Sequence, residues 1–141
     1  MPHEFQHARR FLSIWGPVGI YGLAIFALSS RSGLAVPAFF PAMDKFIHAA
    51  EYAVLGGLWV RALSQSWRAL PASRVLVSTV LFVTLYGISD EWHQAYMPGR
   101  TPEIADVLAD TAGGALGSLG FLCYKARLKK SGPALTLDKQ T

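Results

Sequence analysis

Four stretches of this chain are nearly unbroken in apolar residues, at about 11–29, 45–63, 74–93 and 103–124. A helix rises about 1.5 Å per residue, so roughly 20 residues cross a ~30 Å hydrocarbon layer. Each stretch is close to that length. A helix lying on a soluble core would carry a wide polar stripe, and the first and third stretches carry none over most of their length. The pattern predicts an all-α bundle of four transmembrane helices. Between them the chain carries breakers. Pro37 and Pro41 interrupt the connection at 30–43, and Pro71 follows Trp67 in the next loop. Asp44 or Pro41 is placed to open the second helix, and Ser73 to cap the third. Met97–Pro98–Gly99–Arg100 reads as a tight turn. Thr101 is placed to cap the fourth helix, with Pro102 at its first helical position. Gly16–Pro17 marks a kink in the first.

Composition agrees with the pattern. The 141 residues are 52% hydrophobic and 16% charged, where soluble domains carry about 25% charge. Mean hydropathy is +0.31. The length suits one domain. It reads as a polar lead at 1–10, a membrane domain at 11–125 and a basic, disordered tail at 126–141. Arg9–Arg10 before an apolar stretch resembles a twin-arginine signal. That stretch is longer than the roughly 7–15 residues of a signal sequence, so it is expected to stay as an anchor. A single Cys123 permits no internal disulfide.

Charge orients the bundle. With four crossings, Arg9, Arg10, Arg61, Arg68, Arg74, Lys125, Arg127, Lys129, Lys130 and Lys139 share one side, against only Arg31, Lys45 and Arg100 on the other. Short loops rich in Lys and Arg stay cytoplasmic, so both termini are expected inside. The +4 net charge is thereby explained without nucleic acid, and no aromatic interleaving in the tail suggests it. Trp15, Trp59 and Trp67 fall near the inner interface and Trp92 near the outer one, as an aromatic belt requires.

The acids segregate the other way. Asp44, Glu51, Asp90, Glu91, Glu103, Asp106 and Asp110 lie at or just below the outer side, leaving only Glu4 and Asp138 elsewhere. The rule for bases does not predict this. Ionisable groups at membrane depth cost several kcal/mol unless paired or solvated, and they mark sites. Helical spacing puts Asp44, His48 and Glu51 on one face, followed by Tyr52 and Leu55. Asp90 shares a face with His93 and Gln94, and Asp106 with Asp110. The second helix starts outside, the third ends there and the fourth starts there, so the polar faces meet at one depth. An outward-opening cup of carboxylates, two imidazoles, Lys45 and Arg100 is expected. Lys45 with Asp44 and Arg100 with Asp106 are candidate salt bridges. Gly113 and Gly117, like Ala49, Ala53 and Gly57, read as small-residue helix packing.

These residues resemble the VanZ-like family of small bacterial membrane proteins over about residues 44–120. The resemblance is carried by Asp44–Lys45–x–x–His48–x–x–x–Tyr52–x–x–Leu55, Ser89–Asp90–Glu91–x–His93–Gln94, Pro98–Gly99–Arg100, and Asp106–x–x–x–Asp110–x–x–Gly113–x–x–x–Gly117. The chain departs at Asp110, where many members carry an amide. The family is named for teicoplanin resistance, and most members have no assigned biochemistry. The resemblance implies a bacterial cytoplasmic membrane. A proposed wider kinship with lipid-headgroup enzymes, such as phosphatidylserine synthases, fits an outward cup.

The leading expectation is phosphoester or headgroup chemistry on a lipid or lipid-linked compound of the outer leaflet. Arg100 offers a fork for phosphate oxygens and Lys45 a point charge. Tyr52 and Gln94 are further substrate-binding candidates. His93 leads for proton transfer or nucleophilic attack, with His48, Glu51 and Asp90 as catalytic companions. Glu91, Asp106 and Asp110 are candidates to hold Mg²⁺ or Mn²⁺ through oxygen, although no spacing is a dedicated metal motif. A non-enzymatic binder of a cell-wall precursor or lipoglycopeptide is the second reading. A proton-coupled carrier is the third, set back by the apolar inner halves of all four stretches.

Overall fold

The computed structural model describes residues 3–31 and 42–131. They form four helices: α1 (His3–Ser29), α2 (Met43–Ser66), α3 (Ala72–Gln94) and α4 (Ile104–Lys130). There is no strand among the described residues. Most of the 30–43 connection, with Pro37 and Pro41, lies outside them, as do 132–141.

Helices α1, α3 and α4 are long and apolar enough to cross a membrane by length and composition. The second helix is 24 residues long, but Asp44, Lys45, His48, Glu51 and Arg61 dilute its hydropathy. Topology makes it cross with the others. The end of α1 meets the end of α3, where Ser30 reaches His93. The first half of α1 meets the end of α2, where Trp15 donates to Ser66. Helix α2 must therefore carry the chain from one end of the bundle to the other. The start of α1 and the end of α4 share the end opposite the acids.

The tightest seam joins α2 to α4. A Cβ added at Gly113 would run into the Ala49 carbonyl, and one at Gly117 into the Ala53 carbonyl. The expected small-residue packing is thus realised, with hydrogen at those positions letting the backbones touch. Helix α4 lies between α2 and α3, and Val83 of α3 fills the space over Gly114. Helix α1 packs on the outside of α2 and α3 through Ile14, Val18 and Ile25. Ile20, Leu23, Val77, Leu81, Leu85, Leu108 and Leu116 are exposed along the outer faces. Lipid, rather than protein, is the natural cover for them.

Several local expectations change. Ser73 does not cap α3; Pro71 precedes the first residue, with no side-chain cap. Thr101 does not cap α4, which begins at Ile104. A longer-range bond serves instead, because the Glu103 N–H donates to Glu91 Oε2 at 2.7 Å, tying α4 to the end of α3. Helix α4 also runs on through 126–130, where a disordered tail was expected. Arg127, Lys129 and Lys130 in its last turn favour the negative end of the helix dipole. Helix α1 likewise extends back through the polar lead and continues through Pro17.

The turn between α3 and α4 forms as expected. The Arg100 N–H closes onto the Met97 carbonyl at 3.2 Å. Gly99 takes φ 79°, a left-handed value that glycine adopts without strain, with Pro98 preset for the position before it. This turn makes α3 and α4 neighbours and fixes the height of the site.

Candidate functional site

One cavity of about 230 Å³ opens at the acid-rich end, between α1, α2 and α3. Asp44, His48, Glu51, Asp90, Gln94 and Arg100 form its polar lining, and Ile25, Leu28 and Ile47 its apolar wall, with Ser29 at the margin. The expected convergence of distant segments is therefore present. The contribution of α1 is new. Its wall is apolar, so nothing in its sequence marked it as part of a site.

Behind the cavity lies a buried network shared by α2, α3 and α4. His48 joins the two. Its Nδ1–H donates to Asp110 Oδ1 at 3.0 Å, and the Asp110 side chain is fully buried. Gly87 makes this possible, since a Cβ there would stand 2.7 Å from Asp110 Oδ2. Helical spacing alone put Asp110 and Asp106 one turn apart. Contact across the α2–α4 seam brings Asp110 against His48.

Lys45 sits in a cage of three carboxylates. Its Nζ lies 2.8 Å from Asp44, 2.6 Å from Glu103 and 2.7 Å from Asp106. The expected Lys45–Asp44 pair is present. The expected Arg100–Asp106 pair is absent, because Lys45, one turn before His48, reaches Asp106 across the seam first. Arg100 has no carboxylate within ion-pair distance among the described residues, and its guanidinium is left to the cavity. Glu103, which the sequence reading left out of the site, belongs to this cage.

Several buried oxygens have no partner. These are Asp90 Oδ1, Glu91 Oε1 and Asp110 Oδ2, with the hydroxyls of Tyr52 and Ser29. Asp90 Oδ2 accepts from Gln94 Nε2 at 3.0 Å. A buried carboxylate oxygen without a hydrogen bond carries a desolvation cost of about 1–3 kcal/mol or more.

Two expected residues stand apart from the cavity. His93 stacks on Phe26 with ring centres 4.2 Å apart, and its Nε2 hydrogen-bonds Ser30 Oγ at 2.9 Å. It faces α1 and lines no part of the cavity, whereas His48 does. Adjacent helical positions point about 100° apart. Asp90 and Gln94 therefore turn into the cavity, Glu91 turns toward α4, and His93 turns away. Tyr52 is fully buried in the apolar core beside Tyr86, one turn below His48, and is not exposed to a substrate.

Among the described residues, two groups of side chains could hold a metal ion. One ligand atom each from His48, Glu91 and Asp106 lie within 4.8 Å of one another, and the same holds for Asp44, Glu103 and Asp106. The second group is the cage already filled by the Lys45 ammonium. Asp110, a metal candidate from sequence, is hydrogen-bonded to His48.

Below the site the bundle closes. Leu55, Val60, Leu63, Val75 and Val83 form its buried core, and Trp59 stacks on Phe82 with centres 3.7 Å apart. Among the described residues the polar groups in this part of the interior are hydroxyls, Thr79, Ser118 and the paired Thr84 and Thr111 among them.

No curated protein and no solved structure matches the chain. A family model described as VanZ/LLP1 matches residues 4–126. That match takes in α1 to nearly the end of α4, including every residue of the cavity and of the network behind it. The chain is a membrane protein and belongs to the VanZ/LLP1 family.

Proposed function

We propose that the cavity receives the phosphate-bearing headgroup of a membrane lipid or lipid-linked compound at the outer face of the cytoplasmic membrane, and that His48 carries a proton in chemistry on it. The observation that supports this most is the mixed lining. An apolar wall from Ile25, Leu28 and Ile47 stands across from Asp44, His48, Glu51, Asp90 and Arg100 in one opening. The wall suits the start of an acyl or prenyl chain, and the polar side suits what the chain carries. Arg100, free of carboxylates, can offer two parallel N–H donors to a phosphate.

His48 is held for proton transfer in the manner of other oriented imidazoles. A carboxylate on Nδ1 fixes the tautomer and leaves Nε2 to take or give a proton. Glu51 and Asp90, on the same cavity, are the companions that can pass it on. The bias of bases toward the far end favours an outward-facing site. A protein that captured or altered a lipid-linked cell-wall precursor there would change sensitivity to glycopeptides.

Turnover of a lipid panel by purified protein in nanodiscs tests the reading. Headgroup or phosphate release is expected from the wild type, with loss in His48→Gln and Arg100→Ala. Binding of the same lipids without turnover, unaffected by His48→Gln, would make the protein a binder. Neither binding nor turnover would end the proposal.

A further inference from the structure

We propose that His48, Glu91 and Asp106 bind one divalent cation of the Mg²⁺/Mn²⁺ class, and that Asp110 is the positioning residue of that site. One ligand atom from each of the three side chains lies within 4.8 Å of the others. Opposed ligands across a Mg²⁺ ion are about 4.2 Å apart, given bonds of 2.0–2.1 Å, so small side-chain movements would close them on a shared ion. Oxygen donors with one imidazole suit Mg²⁺ or Mn²⁺ better than metals that seek thiolates.

Three independent features point to a cation. First, Glu91 is only 6% exposed and its Oε1 has no hydrogen-bond partner. Its other oxygen is occupied by the Glu103 N–H, so the free one is available without breaking the α3–α4 tie. Second, His48 gives Nδ1–H to Asp110 at 3.0 Å, which leaves Nε2 as the lone-pair nitrogen. Metal-binding histidines nearly always have their other ring nitrogen held this way, and the partner raises ligand basicity. Third, the charges do not balance. Seven of the nine acids gather at this end, against Arg31, Lys45 and Arg100 as its fixed cations. Lys45 pairs with Asp44, Glu103 and Oδ1 of Asp106, and no ion pair joins it to Glu91 or Asp110.

The cation deepens the headgroup reading: an ion on His48 Nε2 takes the place of the proton there, so proton transfer in the metal-loaded protein falls to Glu51 and Asp90 on the same cavity, and the ion's role toward phosphate rests on that reading. An anionic group entering a cup rich in carboxylates meets repulsion, and a bound divalent ion would reverse its sign locally. The binding itself needs no lipid, so the two can fail separately.

Mn²⁺ titration of the purified full-length protein without added lipid, followed by the electron paramagnetic resonance of free Mn²⁺, is the test. Saturable binding of a single Mn²⁺ is expected, competed by Mg²⁺. His48→Ala and Glu91→Gln should weaken it by at least about tenfold, and Asp110→Asn by about tenfold to a hundredfold. Glu103→Gln, which alters only the exposed side of the lysine cage, should stay within about threefold. Spin-echo modulation on the wild type should show a directly bound nitrogen, a readout that needs no variant to fold. Absence of saturable binding or of nitrogen coupling would overturn the proposal. So would a loss in Glu103→Gln as large as in Glu91→Gln, which would move the ion to the cage.

Discussion

The two ends of the bundle keep their charges in opposite ways. At the far end Arg9, Arg10, Arg68, Lys125, Arg127, Lys129 and Lys130 are exposed, and Arg61 rests on the carbonyls of Ser13 and Ile14. Solvent or lipid phosphate can satisfy them at little cost. At the site end Asp90, Glu91, Asp106 and Asp110 are buried, and each keeps an oxygen without a hydrogen bond, that of Asp106 being met only by the Lys45 ion pair. Long basic side chains can reach the interface, whereas short carboxylates cannot. The far end therefore explains itself through topology. The site end is held at an energetic cost that packing does not require, and such local cost is a mark of function.

The contrast can be broken in four ways. His48→Ala should lower headgroup turnover by about 10²–10⁴-fold, the usual worth of a general acid or base. Arg68→Ala at the far end should leave turnover near wild type, and a parallel lipid assay compares them. Gly117→Val should erase the difference by damaging both ends, because the added side chain meets the Ala53 carbonyl on the shared α2–α4 seam. The expected loss is about 1–3 kcal/mol, read as a lower thermal midpoint in detergent. Asp90→Asn should sharpen the contrast. It removes a charge that has one unpartnered oxygen while keeping an acceptor for Gln94, so stability should rise by up to about 1 kcal/mol as turnover falls. A lower midpoint would mean that the charge is well compensated. The smallest effect belongs to His93→Phe, which keeps the stack on Phe26 and loses the bond to Ser30. Turnover should change by less than about threefold, with at most about 1 kcal/mol of stability lost. A collapse of turnover would return His93 to the site.

The fold was legible because a membrane imposes a length on its helices, and the four stretches had it. Convergence of Asp44, His48, Glu51, Asp90 and Gln94 was legible too, since connectivity set the height at which three helix ends meet. Rotation of α3 was not legible. Asp90, Glu91, His93 and Gln94 fall within about one turn and a quarter, and only packing decides which neighbour each one faces. That is why His93 was read into the cup while it lies against Phe26. Helix caps were misread for a related reason: the Glu103 N–H is satisfied by Glu91 from α3, a partner no local motif announces. The apolar wall from α1 was invisible because Ile25 and Leu28 look like any lipid-facing residues. Arg100 was assigned a carboxylate by proximity in sequence, and Lys45 took that carboxylate across the seam.

The central claim is that the cavity opens to the cell exterior and admits a headgroup. Cys123 is the chain's one cysteine, so a Cys123→Ser background supports a single reporter. Leu28 lines the cavity and is 44% exposed. Leu28→Cys in intact cells, treated with a membrane-impermeant maleimide, should label readily, and in purified protein a short-chain anionic phospholipid should slow the labelling. Labelling that appears only after the membrane is permeabilised would contradict the account.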